Sequence, residues 1–240
     1  MTAFRIDRRS TLQELMDTET VPFEDFRDCL KDLSSVNRIS FGYRPTLSFL
    51  ERFVGDGRLP EGRPLRVLDV GSGYGDTLRA IALWAGRRGI PVALTGVDLN
   101  PWSTRAAREA TPDDLPVRFV TGDAFAFRPD HPPDLVISAL FTHHLDDAAL
   151  VRFLEWMEEE AALGWFVNDL HRDPVAYHGF RAIATAARWH RFVRHDGPLS
   201  IARGFRREDW SRLLVAAGLA ARGVSIEWWL PYRLCLGRVK

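Results

Sequence analysis

Val67-Leu68-Asp69-Val70-Gly71-Ser72-Gly73-Tyr74-Gly75-Asp76 is the stretch on which the reading of this chain turns. A short apolar run stops at three glycines in alternate positions, and a helix follows in which Leu78, Ile81, Ala82 and Ala85 share one face. Alternating glycines let a backbone turn sharply and approach a ligand without side-chain obstruction. The dinucleotide fingerprint places its third glycine three residues after the second. Here Asp76 holds that position and the third glycine comes one residue earlier. Asp69 and Asp76, one at each edge of the turn, would repel a pyrophosphate; they suit a cationic ligand.

Outward from this turn, short apolar runs alternate with amphipathic helices. Leu65 to Val70, Val92 to Val97, Val117 to Val120, Leu135 to Leu140 and Trp165 to Val167 read as strands. Their continuous apolarity is that of strands buried on both faces. Between them lie helices around Ser103 to Ala110 and over Leu150 to Met157, the latter capped by Asp146 or Asp147. Strand and helix in alternation give a parallel sheet covered on both sides. A last helix through Trp210, Leu213, Leu214 and Ala217 stops at Gly218. Then Val224 to Leu230 and Arg233 to Val239 are separated only by Pro231-Tyr232, which permits only an antiparallel hairpin. The expected fold is α/β: a Rossmann-like, mostly parallel seven-stranded sheet with helices on both faces and a reversed C-terminal strand. Residues 1–60, with helices over Leu12 to Met16, Phe23 to Leu33 and Thr46 to Val54, are expected to form a helical cap on a domain spanning 61–240. The aromatic- and arginine-rich segment 174–206, with Tyr177, Phe180, Trp189 and Phe192, is expected to close over the strand ends as a lid.

Carboxylates recur at successive strand ends. Asp98 closes the second strand, where a carboxylate can accept both ribose hydroxyls. Asp123 closes the third in Gly122-Asp123-Ala124-Phe125, placed to accept from an adenine amino group with Phe125 over the base. One such acid would read as a helix cap; three, joined to the glycine turn, form a constellation. On these residues the chain from Leu65 to Val239 resembles the class I S-adenosylmethionine-dependent methyltransferases. The resemblance implies that Asp69, Gly71, Ser72, Gly73 and Gly75 border the methionine part of S-adenosylmethionine. It likewise implies that Asp98 holds the ribose, that Leu99, Asp123, Ala124 and Phe125 surround the adenine, and that Ser138 lies beside the cofactor. Arg38, Tyr43 and Arg44 of the N-terminal helices are expected to reach the cofactor's carboxylate.

Methyl transfer is an in-line displacement in which the protein supplies positioning, exclusion of water and, for some acceptors, a base. The fourth strand leads into Phe141-Thr142-His143-His144, and the fifth into Asn168-Asp169-Leu170-His171. A phenol, with a pKa of about 10, benefits from a nearby histidine. His143 or His144 is expected as that base, with His171 as its orienter or alternative. The Asn/Asp-Pro-Pro-Tyr/Phe motif of exocyclic-amine methyltransferases does not match Ser138 to Phe141. The carboxylate that metal-dependent catechol methyltransferases place after the fourth strand is missing before Asp146. His143, His144 and His171 could make a metal site on paper, but their spacing gives it little support, and no metal is expected. The runs Pro22 to Asp28 and Asn168 to Arg172 are similar to bacterial methyltransferases of secondary metabolism found with polyketide synthases, which tailor phenolic or pyrone products.

Composition bounds the partners. The 240 residues carry 32 Lys and Arg against 32 Asp and Glu, a net charge of zero, which speaks against a nucleic acid held by charge. No apolar run approaches membrane-spanning length, so membrane insertion is not expected. Cys29 and Cys235 sit far apart, as in a reduced cytoplasmic protein. The expected activity is O-methylation of a small aromatic metabolite. Carbon methylation as in quinone biosynthesis and a non-catalytic S-adenosylmethionine-binding protein stay open. A nicotinamide-dependent oxidoreductase is disfavoured by Asp76 and the reversed strand. Oligomeric state is not legible.

Overall fold

The structure, a computed structural model, describes residues 4–240. Seven strands form one sheet in the order β3-β2-β1-β4-β5-β7-β6. They are β1 (Leu65–Val70), β2 (Val92–Asp98), β3 (Val117–Thr121), β4 (Leu135–Ala139), β5 (Gly164–Leu170), β6 (Ser225–Trp229) and β7 (Arg233–Val239). The first five run parallel, and β7 enters antiparallel between β5 and β6. The crossover direction reverses between β1 and β4, and the crevice outside the carboxyl ends of these strands is where an open α/β sheet takes its ligands.

Alternation along the strands divides the core in two. Leu68, Val70, Val136 and Val167 pack beneath α6 (Asp147–Glu160) and α9 (Arg207–Ala216), together with Phe153, Met157 and Trp210. Leu65, Val67, Leu135 and Ile137 face α3 (Arg44–Gly55) and α4 (Asp76–Gly86), with Phe49, Leu50, Leu78 and Ile81. Each of these large side chains contributes about 1.5–3 kcal/mol by leaving water. Phe49 stacks on Phe166 of β5 with ring centroids 4.7 Å apart, seating α3 on the sheet.

What remains N-terminal forms the roof over the strand ends. It consists of α1 (Leu15–Thr18) and α2 (Phe23–Ile39), where the second helix runs two turns beyond its expected end. Phe23, Phe26 and Leu30 set α2 against Trp102 and Ala106 of α5 (Pro101–Glu109). On the other side Cys29 meets Phe192 and Val193, joining α2 to α8 (Arg191–Arg203). With α7 (Pro174–Ala186), α8 makes a helical pair from the segment expected as a lid. No helix among the described residues is long and apolar enough to cross a membrane.

The residues before α1 run as a strap along α8. Asp196 caps α1 by accepting from the backbone N–H groups of Leu15 and Met16 at 2.9 and 3.0 Å. The Arg203 guanidinium donates to the carbonyls of Leu12, His143 and His144 at 2.7–2.9 Å. Arg9 donates to the carbonyls of His143, Leu145 and Arg203 at 2.8–3.2 Å. Two arginines thus tie the strap to the turn that follows β4.

Candidate active site

Under this roof lies a cavity of about 930 Å³, reached by the ends of β1, β2, β4 and β5 and by α1, α2, α7 and α8. Its floor is the glycine turn. Gly71, Gly73 and Gly75 all have positive φ, at 68°, 50° and 71°. Gly73 has nothing within 4 Å of where a Cβ would stand, so its bare backbone faces the open cavity. Gly75 stands outside the cavity wall, where it caps α4 in a left-handed conformation.

Asp69, at the end of β1, is buried at 1% exposure, and its Oδ1 finds no hydrogen-bond partner. Burial, together with Asp76 and Asp98, holds its carboxyl well above the usual range. A carboxylate lacking a partner at the foot of a glycine turn is a site that wants a cation. Asp98 accepts from the N–H of Gly73 at 2.8 Å and from that of Asn100 at 2.9 Å, so it shapes the turn while lining the cavity. Burial raises its pKa against those two hydrogen bonds. Ser72, Leu99, Asp123, Ala124 and Phe125 also line the cavity, and Leu99 offers a side chain 70% exposed. Asp123 accepts from the N–H of Phe125 at 3.0 Å, which fixes the approach of that ring.

Besides Gly75, four expected contacts fall elsewhere. Ser138 is buried in β4 and donates to the Val70 carbonyl at 3.0 Å, pinning β4 to β1 instead of facing the cavity. Arg38 and Arg44 are exposed and outside the cavity wall, because the face of α2 that looks inward carries Asn37. Tyr43 does not line the cavity either; its hydroxyl donates to Asp76 at 2.7 Å, and burial with that carboxylate raises its pKa. The cation at this end is Arg233, 4% exposed at the start of β7, whose Nη2 donates to Asn37 Oδ1 at 3.1 Å. Burial lowers its pKa. An arginine opening the last strand is the only trace it leaves in the sequence.

Opposite the turn stands a charged cluster on a 3₁₀ turn, Thr142–His144. His143 is 3% exposed and its Nδ1–H donates to Asp169 at 2.7 Å. Asp169 also accepts from the Thr142 hydroxyl and from the backbone N–H of His143. The third member, Glu14, comes from the strap and has no local signature in the sequence. Its carboxylate oxygens lie 3.6 Å from His143 Nε2 and 3.9 Å from His144 Nε2. His144 Nδ1–H donates to Asp17 at 2.9 Å. Burial lowers the affinity of His143 for a proton, but Asp169 and Glu14 outweigh it and bring the pKa up to about 9. Burial alone would raise the Glu14 carboxyl; His143, His144 and the Ser200 hydroxyl pull it down to about 2. Asp169 is likewise held low, its burial outweighed by His143 and Thr142. His143 thus carries its proton at neutral pH, where the sequence suggested a base free to take one. His171 is not part of this group. It lies outside the cavity wall, its Nδ1 accepts from Trp228 at 3.3 Å, and burial lowers its pKa.

Known proteins place this geometry. Residues 67–164 match the family described as a methyltransferase domain. The 2-methyl-6-phytyl-1,4-hydroquinone methyltransferase of Synechocystis sp. is 36% identical over 93 residues, which is 38% of this chain and 27% of that protein. The chain therefore spans about a quarter of the length of this curated relative. Magnesium protoporphyrin IX methyltransferase from Synechocystis PCC 6803, crystallised with SAH, superposes with a TM-score of 0.55 at 16% identity, covering 92% of this chain and 89% of that one. The CMeT domain of the citrinin polyketide synthase does so with a TM-score of 0.55 at 18% identity over 79% and 50%. The chain thus matches a methyltransferase domain over residues 67–164 and shares the fold of these methyltransferase structures, a mostly parallel seven-stranded sheet.

Proposed function

We propose that the chain transfers the methyl group of S-adenosylmethionine to an oxygen of a small aromatic acceptor, a phenol or hydroquinone. The observation that carries this reading is the unpartnered Asp69 carboxylate beneath the glycine turn. It fits a donor bearing an ammonium and a sulfonium, and the many acids of the cavity wall, Asp69, Asp76, Asp98 and Asp123 among them, oppose a pyrophosphate. Asp98 and Asp123 would hold the nucleoside, and Arg233 with Asn37 would receive the donor's carboxylate. When bound, S-adenosylmethionine supplies an electrophilic methyl group on sulfur.

The chain's own residues position the acceptor and take its proton. Leu140, Phe141, Phe180, Ile183, Phe192 and Val193 give the acceptor's side of the cavity an apolar lining suited to a flat ring. They exclude the water that would otherwise solvate the nucleophile. The cluster at its edge holds three carboxylates, Glu14, Asp17 and Asp169, against two imidazoles, His143 and His144. This excess of carboxylates favours departure of the proton that the acceptor's hydroxyl loses as its oxygen attacks. The curated relative's acceptor, a hydroquinone, offers both ring carbon and oxygen to such an arrangement.

The test is a transfer assay with methyl-labelled S-adenosylmethionine and a panel of phenols, hydroquinones and pyrones, the product's new bond being assigned by NMR. A methyl ether is expected, with His171→Ala turning over as the unaltered chain does. Methyl on a ring carbon would move the reading to carbon methylation. Tight donor binding without any turnover would leave a binding protein in its place.

A further inference from the structure

Glu14, His143 and His144 converge on one point of the cavity wall, each offering one ligand atom, with all three atoms within 4.8 Å of one another. We propose that these three side chains bind one divalent first-row transition cation, whose open coordination positions face the cavity and take an oxygen of the acceptor. The spacing of His143, His144 and His171 in the sequence gives a metal little support. The structure replaces His171 by a carboxylate that the strap brings from the far end of the chain.

The distances suit an ion better than they suit the side chains' own contacts. Glu14 lies 3.6 Å from His143 Nε2 and 3.9 Å from His144 Nε2, beyond ordinary hydrogen-bond length. Ligands about 2.0–2.2 Å from a shared ion stand roughly 3–4 Å from one another. The remaining ring nitrogens are already engaged. Nδ1–H of His143 donates to Asp169 and Nδ1–H of His144 to Asp17, which turns both Nε2 atoms toward the same point. A carboxylate behind each ligating histidine is the support that metal-bound imidazoles almost always have. The third ligand is supported too, since the Ser200 hydroxyl donates to Glu14 at 2.8 Å. Arg203 and Arg9 fix the 3₁₀ turn through the carbonyls of His143 and His144, leaving the imidazoles free to face inward.

Two imidazoles and one carboxylate suit zinc, iron, manganese or cobalt in the divalent state and do not suit calcium or magnesium. The identity of the acceptor's oxygen rests on the proposed methyl transfer; the cation site does not.

The test uses the full chain, stripped with a chelator and titrated with manganese or cobalt in the absence of donor and acceptor. Loss of the free manganese signal in electron paramagnetic resonance, or visible cobalt bands, reports binding. One cation per chain is expected. Glu14→Gln and His144→Gln should each weaken it more than about tenfold, and Asp17→Asn, at a partly exposed second position, should weaken it by about tenfold or more. His171→Gln should leave it unchanged, and circular dichroism verifies that each variant is folded. Absence of binding up to about millimolar cation, or equal affinity in the unaltered chain and in folded Glu14→Gln and His144→Gln, would overturn the assignment. Methyl transfer that proceeds in a chain unable to bind a cation would leave the proposed activity standing without it.

Discussion

Replacing Asp69 by asparagine should make the donor-free protein more stable and its donor binding weaker. The carboxylate is 1% exposed, its Oδ1 has no partner, and its pKa lies well above the usual range because of burial and then Asp76 and Asp98. A group whose folded pKa is raised binds its proton more tightly in the folded chain. Its penalty is absent below the unfolded carboxylate pKa of about 3.9 and grows as pH rises past it. Leaving a buried polar atom unsatisfied costs about 1–3 kcal/mol. At neutral pH the neutral amide should therefore raise the melting temperature by about 2–12 °C, at about 2–4 °C per kcal/mol for a chain of this size. Near pH 4, where the wild-type carboxyl is protonated as well, the two melting curves should draw together. Calorimetric titration with S-adenosylmethionine should show the opposite sign. Loss of a hydrogen bond to a charged group is worth about 1.5–3 kcal/mol, or roughly ten- to a hundredfold in affinity. A variant that melts below the wild type at neutral pH, and binds the donor equally well, would refute the view that this carboxylate awaits a cation.

Two further outcomes follow from the same geometry. Gly73→Ala should fold with a loss of about 1–2 kcal/mol, the cost of a left-handed backbone for an L residue. Because the new methyl would meet only open cavity, a large loss of donor affinity in titration, out of proportion to the small shift in denaturant midpoint, is expected. Asp134, at the start of β4, accepts from Arg63 at 2.6 and 2.8 Å and from the backbone N–H of Arg66 at 2.9 Å, and despite burial its pKa lies below the ordinary value. That stabilisation is present above the unfolded carboxylate pKa and is lost as pH falls through the folded one. Denaturant titrations at stepped acidic pH should show Asp134→Asn converging with the wild type at the acid end; a difference independent of pH would contradict the assignment.

The middle of the sheet was legible because β1, β4, β5 and β7 are buried on both faces, so each apolar run between glycine, proline and acidic breaks stands out whatever surrounds it. The acids at strand ends were legible for the same reason: Asp69 and Asp98 are the first charges after apolar runs. Side-chain direction beyond the strands was not. Arg38 and Asn37 are adjacent, and only the seating of Phe23, Phe26 and Leu30 against α5 decides which of the two looks inward. Ser138 ends an apolar strand just as Asp69 does, yet its hydroxyl is taken by the neighbouring strand. Glu14 lay beyond reach altogether. It sits in a polar stretch whose partners, Asp196, Ser200 and Arg203, are almost a full chain length away, and no local periodicity encodes such a meeting. The seating of α3 was not legible either, because it has the same amphipathic stripe whether it roofs a cavity or floors a sheet, and only the stack of Phe49 on Phe166 tells the two apart.

The strap also orders events in time. Residues 9–16 leave the ribosome early but have little to hold until α8 has been made, because their carbonyl and N–H partners lie on Asp196, Ala202 and Arg203. Contacts of such long sequence separation form late, after the entropy of closing the intervening loop has been met. Synthesis delivers β1 to β5 and the glycine turn before α8, so that part of the sheet can form while Glu14 has not yet joined the cavity wall. The docking of the strap is then the step that completes the cavity wall.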